Sequence, residues 1–227
     1  MSQTSTSTPT VVVTGANGLV GAATCAALVE RGAHVRAVVR RAGTAPGLPG
    51  VEEHVGDFHD PDVATSVVAG ADAVVSTVHP MGSDRQTQHR IGVEGTPLLA
   101  RAAADAGVDR FVHVSTAAVY DRSPETGDVD ESAALLADVA TGRVATSDDP
   151  GQGPVAGGCT PVNVAGEPAR LRDYHETVTA ALGVAPQWHD EPVWAGGVRA
   201  DRARAWGWAP RVDLASALDE LRRGLQQ

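Results

Sequence analysis

The run Val11-Val12-Val13-Thr14-Gly15-Ala16-Asn17-Gly18-Leu19-Val20-Gly21 limits the folds open to this chain more than any other segment. Its β-branched start predicts a short buried strand. Three glycines follow where side chains would obstruct. Gly15 permits a tight turn after the strand. Gly18 lets the backbone approach a phosphate with no Cβ between, and Gly21 lets the next helix pack close to the strand. The first turn of that helix leaves N–H groups unpaired and aims its positive dipole end at the same spot. A glycine triplet alone is a weak sign. Between a predicted strand and a predicted helix, it stands in the context that gives it meaning.

The same alternation continues. Residues 18–31 read as a helix ended by Gly32, and 34–39 and 51–55 as strands. Asp60 is an N-cap with Pro61 at the first helical position, predicting a helix to about residue 69. Residues 71–76 form a fourth strand, 86–106 a helix with a late start where Gly92, Gly95 and Pro97 disfavour it, and 110–115 a fifth strand. Nearly continuous apolar strands alternating with helices predict a parallel sheet covered on both faces, with right-handed crossovers. The fold class is therefore α/β, a Rossmann-type doubly wound parallel sheet. Aromatics are only 4% of the chain, so small aliphatics must fill the core. Cys25 falls in the first helix as a small buried hydrophobe; it and Cys159 lack metal-ligand spacing, so no metal site is expected.

Such a sheet binds a dinucleotide at its strand ends. The phosphate-binding residues are Gly15, Asn17, Gly18, Leu19, Val20 and Gly21. The second strand ends in Val38-Val39-Arg40-Arg41, without the carboxylate that would bind a ribose 2′-hydroxyl. A guanidinium suits a 2′-phosphate instead, through charge-assisted forked bonds. The reading favours NADP(H) over NAD(H), with Arg40 the first ligand, Arg41 beside it and Arg36 a helper. Asp57, after the third strand, can accept from an adenine amino group or cap a turn, with Phe58 next to it. Thr77 and Val78, after the fourth strand, complete the expected cofactor contacts.

A formal net charge of −10 and the lack of any basic run argue against nucleic acid. No apolar stretch approaches a membrane span. Residues 1–9, rich in Ser and Thr, read as a loose tail rather than a signal peptide, so a cytoplasmic location is expected.

Beyond residue 120 the chain changes character. Residues 121–131 are polar, 132–146 predict a helix, 147–158 a loop and 160–164 a strand. Residues 168–182 read as a helix stopped by Gly183, 201–206 as a short helix, and Asp213 caps a last one to about 225. The expected division is a tail (1–9), an NADP(H)-binding domain (10–130) and a reduced substrate and C-terminal region (131–227). The Trp206-Gly207-Trp208 run reads as a packed corner.

Thr14–Gly21, Gly56-Asp57, Gly95-Thr96 and the string from Phe111 to Tyr120 together resemble the extended short-chain dehydrogenase/reductase family, in its epimerase/dehydratase branch. The likeness resumes at residues 161–183 and 201–221. It implies a nicotinamide-dependent enzyme with Thr116 in the place of the family's catalytic Ser or Thr hydroxyl and Ser115 beside it. The middle departs from the pattern. The family's Tyr-x-x-x-Lys helix uses its Tyr to move the proton and its Lys to lower the Tyr pKa. This chain contains no lysine: its 18 basic residues are all arginines, and its tyrosines are Tyr120 and Tyr174. Two alignments stay open. Residues 141–145 are a decayed form of that helix, or the helix is deleted and 136–140 precede the substrate-domain strand; the spacing from Asp138 to Asn163 favours deletion. A sixth strand is then missing or supplied differently, which leaves an edge and makes a homodimer an expectation.

Three functions fit. The first is an atypical NADP(H)-dependent reductase or epimerase/dehydratase-like enzyme on a small carbonyl or sugar-type metabolite. Its candidate catalytic residues are Thr116, Ser115, Tyr120 and His79, with His89 a further proton donor. The second is a redox-neutral cyclase or isomerase using His79 or Asp84 as acid and base. The third is a non-catalytic NADP(H) sensor or interaction module.

Overall fold

Thr10–Thr14 forms β1, and its side chains alternate between two cores. Val12 joins the cluster built on Val38, Val67, Val68, Val74 and Leu99, while Val11 and Val13 join Cys25, Val35, Ala37 and Val39 on the other face. Both faces of the strand are therefore buried, as its unbroken apolar run requires. The structure, a computed structural model, describes residues 8–79, 83–120, 123–132, 161–189 and 192–225, Ala118 by its backbone only. It divides into two units, residues 1–115 and 116–227.

In the first unit, α1 (Leu19–Glu30) follows the glycine turn and leads to β2 (His34–Val39) and β3 (Val51–Val55). Helix α2 (Pro61–Val68) starts as expected: Asp60 accepts from the Asp62 N–H at 2.9 Å, with proline in the first turn. Strand β4 (Ala73–Ser76), α3 (Arg85–His89), a π-helical turn (Arg90–Gly95), α4 (Thr96–Asp105) and β5 (Arg110–His113) complete the unit. The sheet is wholly parallel, in the order β3-β2-β1-β4-β5. Chain direction across the sheet reverses between β1 and β4, which opens a crevice at their carboxyl ends.

Several boundaries differ from the sequence reading; the fifth strand ends at His113 and the helix expected from 168 starts at Leu171. The fourth strand begins at Ala73 because Asp72 anchors the corner: its N–H donates to the Thr10 carbonyl at 2.9 Å, and its carboxylate accepts from the Thr10 N–H at 2.7 Å. The helix expected over 86–106 is broken into α3, the π-helical turn and α4, around Gly92, Gly95 and Pro97.

The second unit opens with a 3-10 turn, Ala117–Val119. It carries α5 (Leu171–Ala181), α6 (Asp201–Ala205) and α7 (Leu214–Leu225). Gly183 leaves α5 at φ +68°, and Asp213 accepts from the Ser216 N–H at 2.7 Å, as the sequence predicts. Trp206-Gly207-Trp208 is a corner, with Gly207 at φ +85° and the Trp208 N–H on the Ala203 carbonyl. The strand expected at 160–164 does not form over the described residues 161–164. Side chains take its backbone groups instead: Arg202 donates to the Pro161 carbonyl at 2.8 Å, and the Asn163 N–H donates to Glu131 at 2.8 Å. The helix expected over 132–146, the loop at 147–158 and both alignments of the missing dyad fall almost wholly outside the described residues.

Candidate dinucleotide-binding site

The turn after β1 is closed by the Gly18 N–H on the Gly15 carbonyl at 2.9 Å. Gly15 takes φ +71°, a conformation that side chains disfavour. A Cβ there would lie 2.8 Å from the Thr77 hydroxyl and 3.0 Å from a Val78 methyl. Gly18 is the N-cap of α1 with no side chain over the helix end. Asn17, Leu19 and Val20 are exposed around it, Leu19 at 92%. Gly21 is buried behind them. The joint is thus an uncovered helix N-terminus beside a glycine backbone, which fits the pyrophosphate of a dinucleotide.

A cavity of about 390 Å³ extends from this turn along the carboxyl ends of the strands. Gly15, Asn17, Gly18, Val38, Val39, Arg40 and Gly56 through His59 line it. Thr77, Val78 and His79 enter from β4, and Arg90 and Ile91 from the π-helical turn. Most of the expected cofactor contacts are therefore brought together. Arg41 is exposed and does not line the cavity.

Arg36 in β2 and Arg40 just after it have different work. Arg40 borders the cavity. Arg36, expected to help it, donates to the Val67 and Ala69 carbonyls at 2.6 and 3.0 Å. Its side chain lies on the α2 face of the sheet, where the carbonyls at the helix C-terminus attract a cation. It is a helix cap. The loop after Arg40 and Arg41 is held by Glu53, which accepts from the Gly43, Thr44 and Ala45 N–H groups at 2.9, 3.1 and 3.0 Å. Those bonds outweigh a slight desolvation and keep its carboxyl below the usual range.

Burial is the largest single influence on Asp57 and pushes its carboxyl up. Hydrogen bonds from the His59 ring and backbone, with the charges of His59 and Arg90, hold it below the usual carboxylate range overall. Thr77 donates its hydroxyl to the Thr14 carbonyl at 2.7 Å, so it staples β4 to the phosphate turn while lining the cavity.

His79 is exposed at the cavity wall. His113, at the end of neighbouring β5, is pushed below the usual histidine range, first by lost solvation and then by the charge of His79. Ser115 is exposed and is not among the cavity-lining residues. Thr116 and Tyr120 belong to the second unit. The Tyr120 ring is buried there and its hydroxyl donates to Asn163 at 2.8 Å; burial, first among several influences, pushes its pKa up. His89 faces Glu94 at 3.3 Å, and Asp84 caps α3 by accepting from the Thr87 N–H at 2.8 Å and hydroxyl at 3.0 Å. Those bonds hold the Asp84 carboxyl below the usual carboxylate range.

His59 and Arg90 are absent from the sequence-based site. Gly92, Gly95 and Pro97, which disfavour a regular helix over 86–106, were the available sign; π-helical turns concentrate at functional sites. Among the described residues no group of three or more His, Cys, Asp or Glu is placed to hold a metal ion, and no helix is long and apolar enough to cross a membrane.

The parallel sheet, glycine turn and strand-end cavity define a protein that binds a nicotinamide dinucleotide. A family model described as NAD(P)H-binding matches residues 15–145. The chain belongs to this NAD(P)H-binding family and, within it, to the extended short-chain dehydrogenase/reductases. It is similar to a 3-beta-hydroxysteroid dehydrogenase of Mycolicibacterium neoaurum, 36% identical over 118 residues, 48% of this chain and 32% of that protein. A 2-alkyl-3-oxoalkanoate reductase of Stenotrophomonas maltophilia is 35% identical over 115 residues, 50% of this chain and 35% of that one. In fold it matches Bordetella bronchiseptica WbmH, solved with NAD+, at a TM-score of 0.51 and 23% identity, over 57% of this chain and 46% of that chain. The matches span about a third of the length of these curated relatives.

Proposed function

We propose that this chain is an NADP(H)-dependent reductase of a small carbonyl or sugar-type metabolite. The observation that carries the cofactor choice is Arg40: it borders the cavity at the end of β2, where no carboxylate stands to receive a 2′-hydroxyl. Its guanidinium holds a 2′-phosphate through charge-assisted bonds. The α1 N-terminus and the Gly15–Gly18 backbone hold the pyrophosphate, and Asp57 accepts from the adenine. When bound, NADPH supplies a hydride, which is the difficult part of the chemistry.

The chain then has to orient a carbonyl, exclude water and hold a proton for its oxygen. His79 is the assigned donor, because it stands exposed on the cavity wall just past β4. Ser115, just after β5, is assigned as a hydroxyl donor to the carbonyl oxygen. Tyr120 is read as a packing residue, a reading supported by its burial and its hydrogen bond to Asn163. The dehydrogenase and reductase names of the relatives support a carbonyl–alcohol substrate pair.

The test is NADPH oxidation against a panel of ketones, aldehydes and oxo-sugars, for the wild type and His79→Asn. Turnover that falls at least about tenfold in the variant supports the reading. Turnover that ignores His79 removes it from the mechanism. The lack of lysine favours a second reading, cofactor binding without turnover. Micromolar NADPH affinity with no oxidation on any carbonyl would establish that one.

A further inference from the structure

The carboxylate of Asp57 is gripped by a residue two positions on. The His59 backbone N–H donates to its Oδ1 at 3.1 Å, and the imidazole Nδ1 makes a short hydrogen bond to the same oxygen. A carboxylate only accepts, so Nδ1 carries the proton in that bond. Among the described residues Oδ2 receives no hydrogen bond, and Asp57 lines the cavity.

The ring that makes this grip is itself tightly placed. It stacks on Phe58 with centroids 4.4 Å apart and planes 26° apart, and its side chain is 15% exposed. On its far side stands Gly95, the last residue of the π-helical turn. A Cβ at Gly95 would overlap the ring at Cδ2 and Nε2. Glycine at 95 therefore leaves room for an imidazole at 59. Nε2 is buried with no hydrogen-bond partner, a cost that an apolar ring of the same shape would avoid. What the imidazole adds over such a ring is the Nδ1–H on Asp57.

We propose that His59 is a positioning residue for the cofactor's adenine: by fixing Oδ1 of Asp57, it presents Oδ2 to the exocyclic amino group. This rests on the reading that the cavity takes the adenosine end of NADP(H). The Phe58 stack sets the plane of the imidazole, and the gap at Gly95 sets its depth. Arg90, also on the cavity wall, adds a longer-range charge to the same carboxylate.

The probe is the hypoxanthine analogue of NADPH, in which a carbonyl oxygen replaces the amino group and faces the carboxylate unfavourably. Calorimetric Kd values are measured for NADPH, this analogue and NADH. The proteins are the wild type, His59→Phe, which keeps a ring but loses the donor, and His59→Asn, whose amide nitrogen takes the place of Nδ1. Melting curves confirm that each is folded. The wild type should prefer NADPH over the analogue about tenfold. His59→Phe should bring that ratio to within about twofold of unity, and His59→Asn should restore most of it.

A folded His59→Phe variant with the wild-type ratio overturns the proposal. So does an equal weakening of both ligands in the two variants, which marks His59 as structural support alone. Wild-type protein that binds both ligands equally also overturns it. The NADPH-to-NADH ratio reports separately on Arg40: if those two bind alike, the 2′-phosphate reading fails while the adenine result stands.

Discussion

A Cβ at Gly21 would overlap the carbonyl oxygen of Gly15. The same carbonyl accepts the Gly18 N–H that closes the turn, so helix α1 crosses the turn at a separation only glycine allows. Gly21→Ala must push the helix off the turn or open the turn itself. Such overpacking costs about 1–3 kcal/mol, to be read as a lower urea midpoint. NADPH affinity should fall in parallel, because the displaced groups are the ones proposed to hold the phosphates. An unchanged midpoint would mean that α1 is not seated as described.

Arg36 and Arg40 stand four residues apart and should behave as opposites. Arg36→Ala frees the Val67 and Ala69 carbonyls at the end of α2 and should cost about 1–2 kcal/mol of stability. Its ratio of NADPH to NADH affinity should not move. Arg40 is exposed at the cavity rim, and Arg40→Ala should leave the urea midpoint within about 0.5 kcal/mol of wild type. Denaturation and calorimetry on both variants decide this together.

Glu53 ties three successive backbone N–H groups in the loop that follows Arg40 and Arg41. Glu53→Gln removes the charge that makes those bonds strong. Amide exchange at Gly43, Thr44 and Ala45 should quicken, and NADPH affinity should drop by about threefold as the loop loosens. Unchanged exchange at those amides would contradict the anchoring role.

The local parts of this architecture were legible before the structure. The glycine turn, the Asp60–Pro61 start of α2 and the Asp213 cap each rest on neighbours a few residues apart, so sequence spacing suffices. The failures are all long-range. Arg36 and Arg40 look alike in sequence; which sheet face α2 covers, thirty residues on, decides that Arg36 is consumed by carbonyls. Residues 161–164 carry a strand-like pattern, yet Arg202 and Glu131 satisfy their backbone and no ladder forms. His59 and Gly95 meet across thirty-six positions, and only the helix-disfavouring Gly92, Gly95 and Pro97 hinted at irregular structure there.

Acid should expose the Asp57–His59 pair. Hydrogen bonds hold the Asp57 carboxyl below its ordinary value despite burial. Its folded pKa therefore lies below the unfolded one, near 3.9. The stabilisation is complete above that unfolded value and is lost as pH falls through the folded one. Melting temperature followed from about pH 6 down to about pH 2 should show a shallower acid limb in Asp57→Asn than in the wild type. Parallel limbs would mean that Asp57 is not held this way.

Selection of NADP(H) by the strand-end cavity is proposed to run through Arg40. Titration calorimetry of the wild type and Arg40→Ala with NADPH and NADH tests it most directly. Wild-type protein should prefer NADPH by at least about tenfold, and Arg40→Ala should show a loss confined to NADPH that brings the two ligands close to equal. Equal wild-type affinities, or equal losses of NADPH and NADH in the variant, would contradict it.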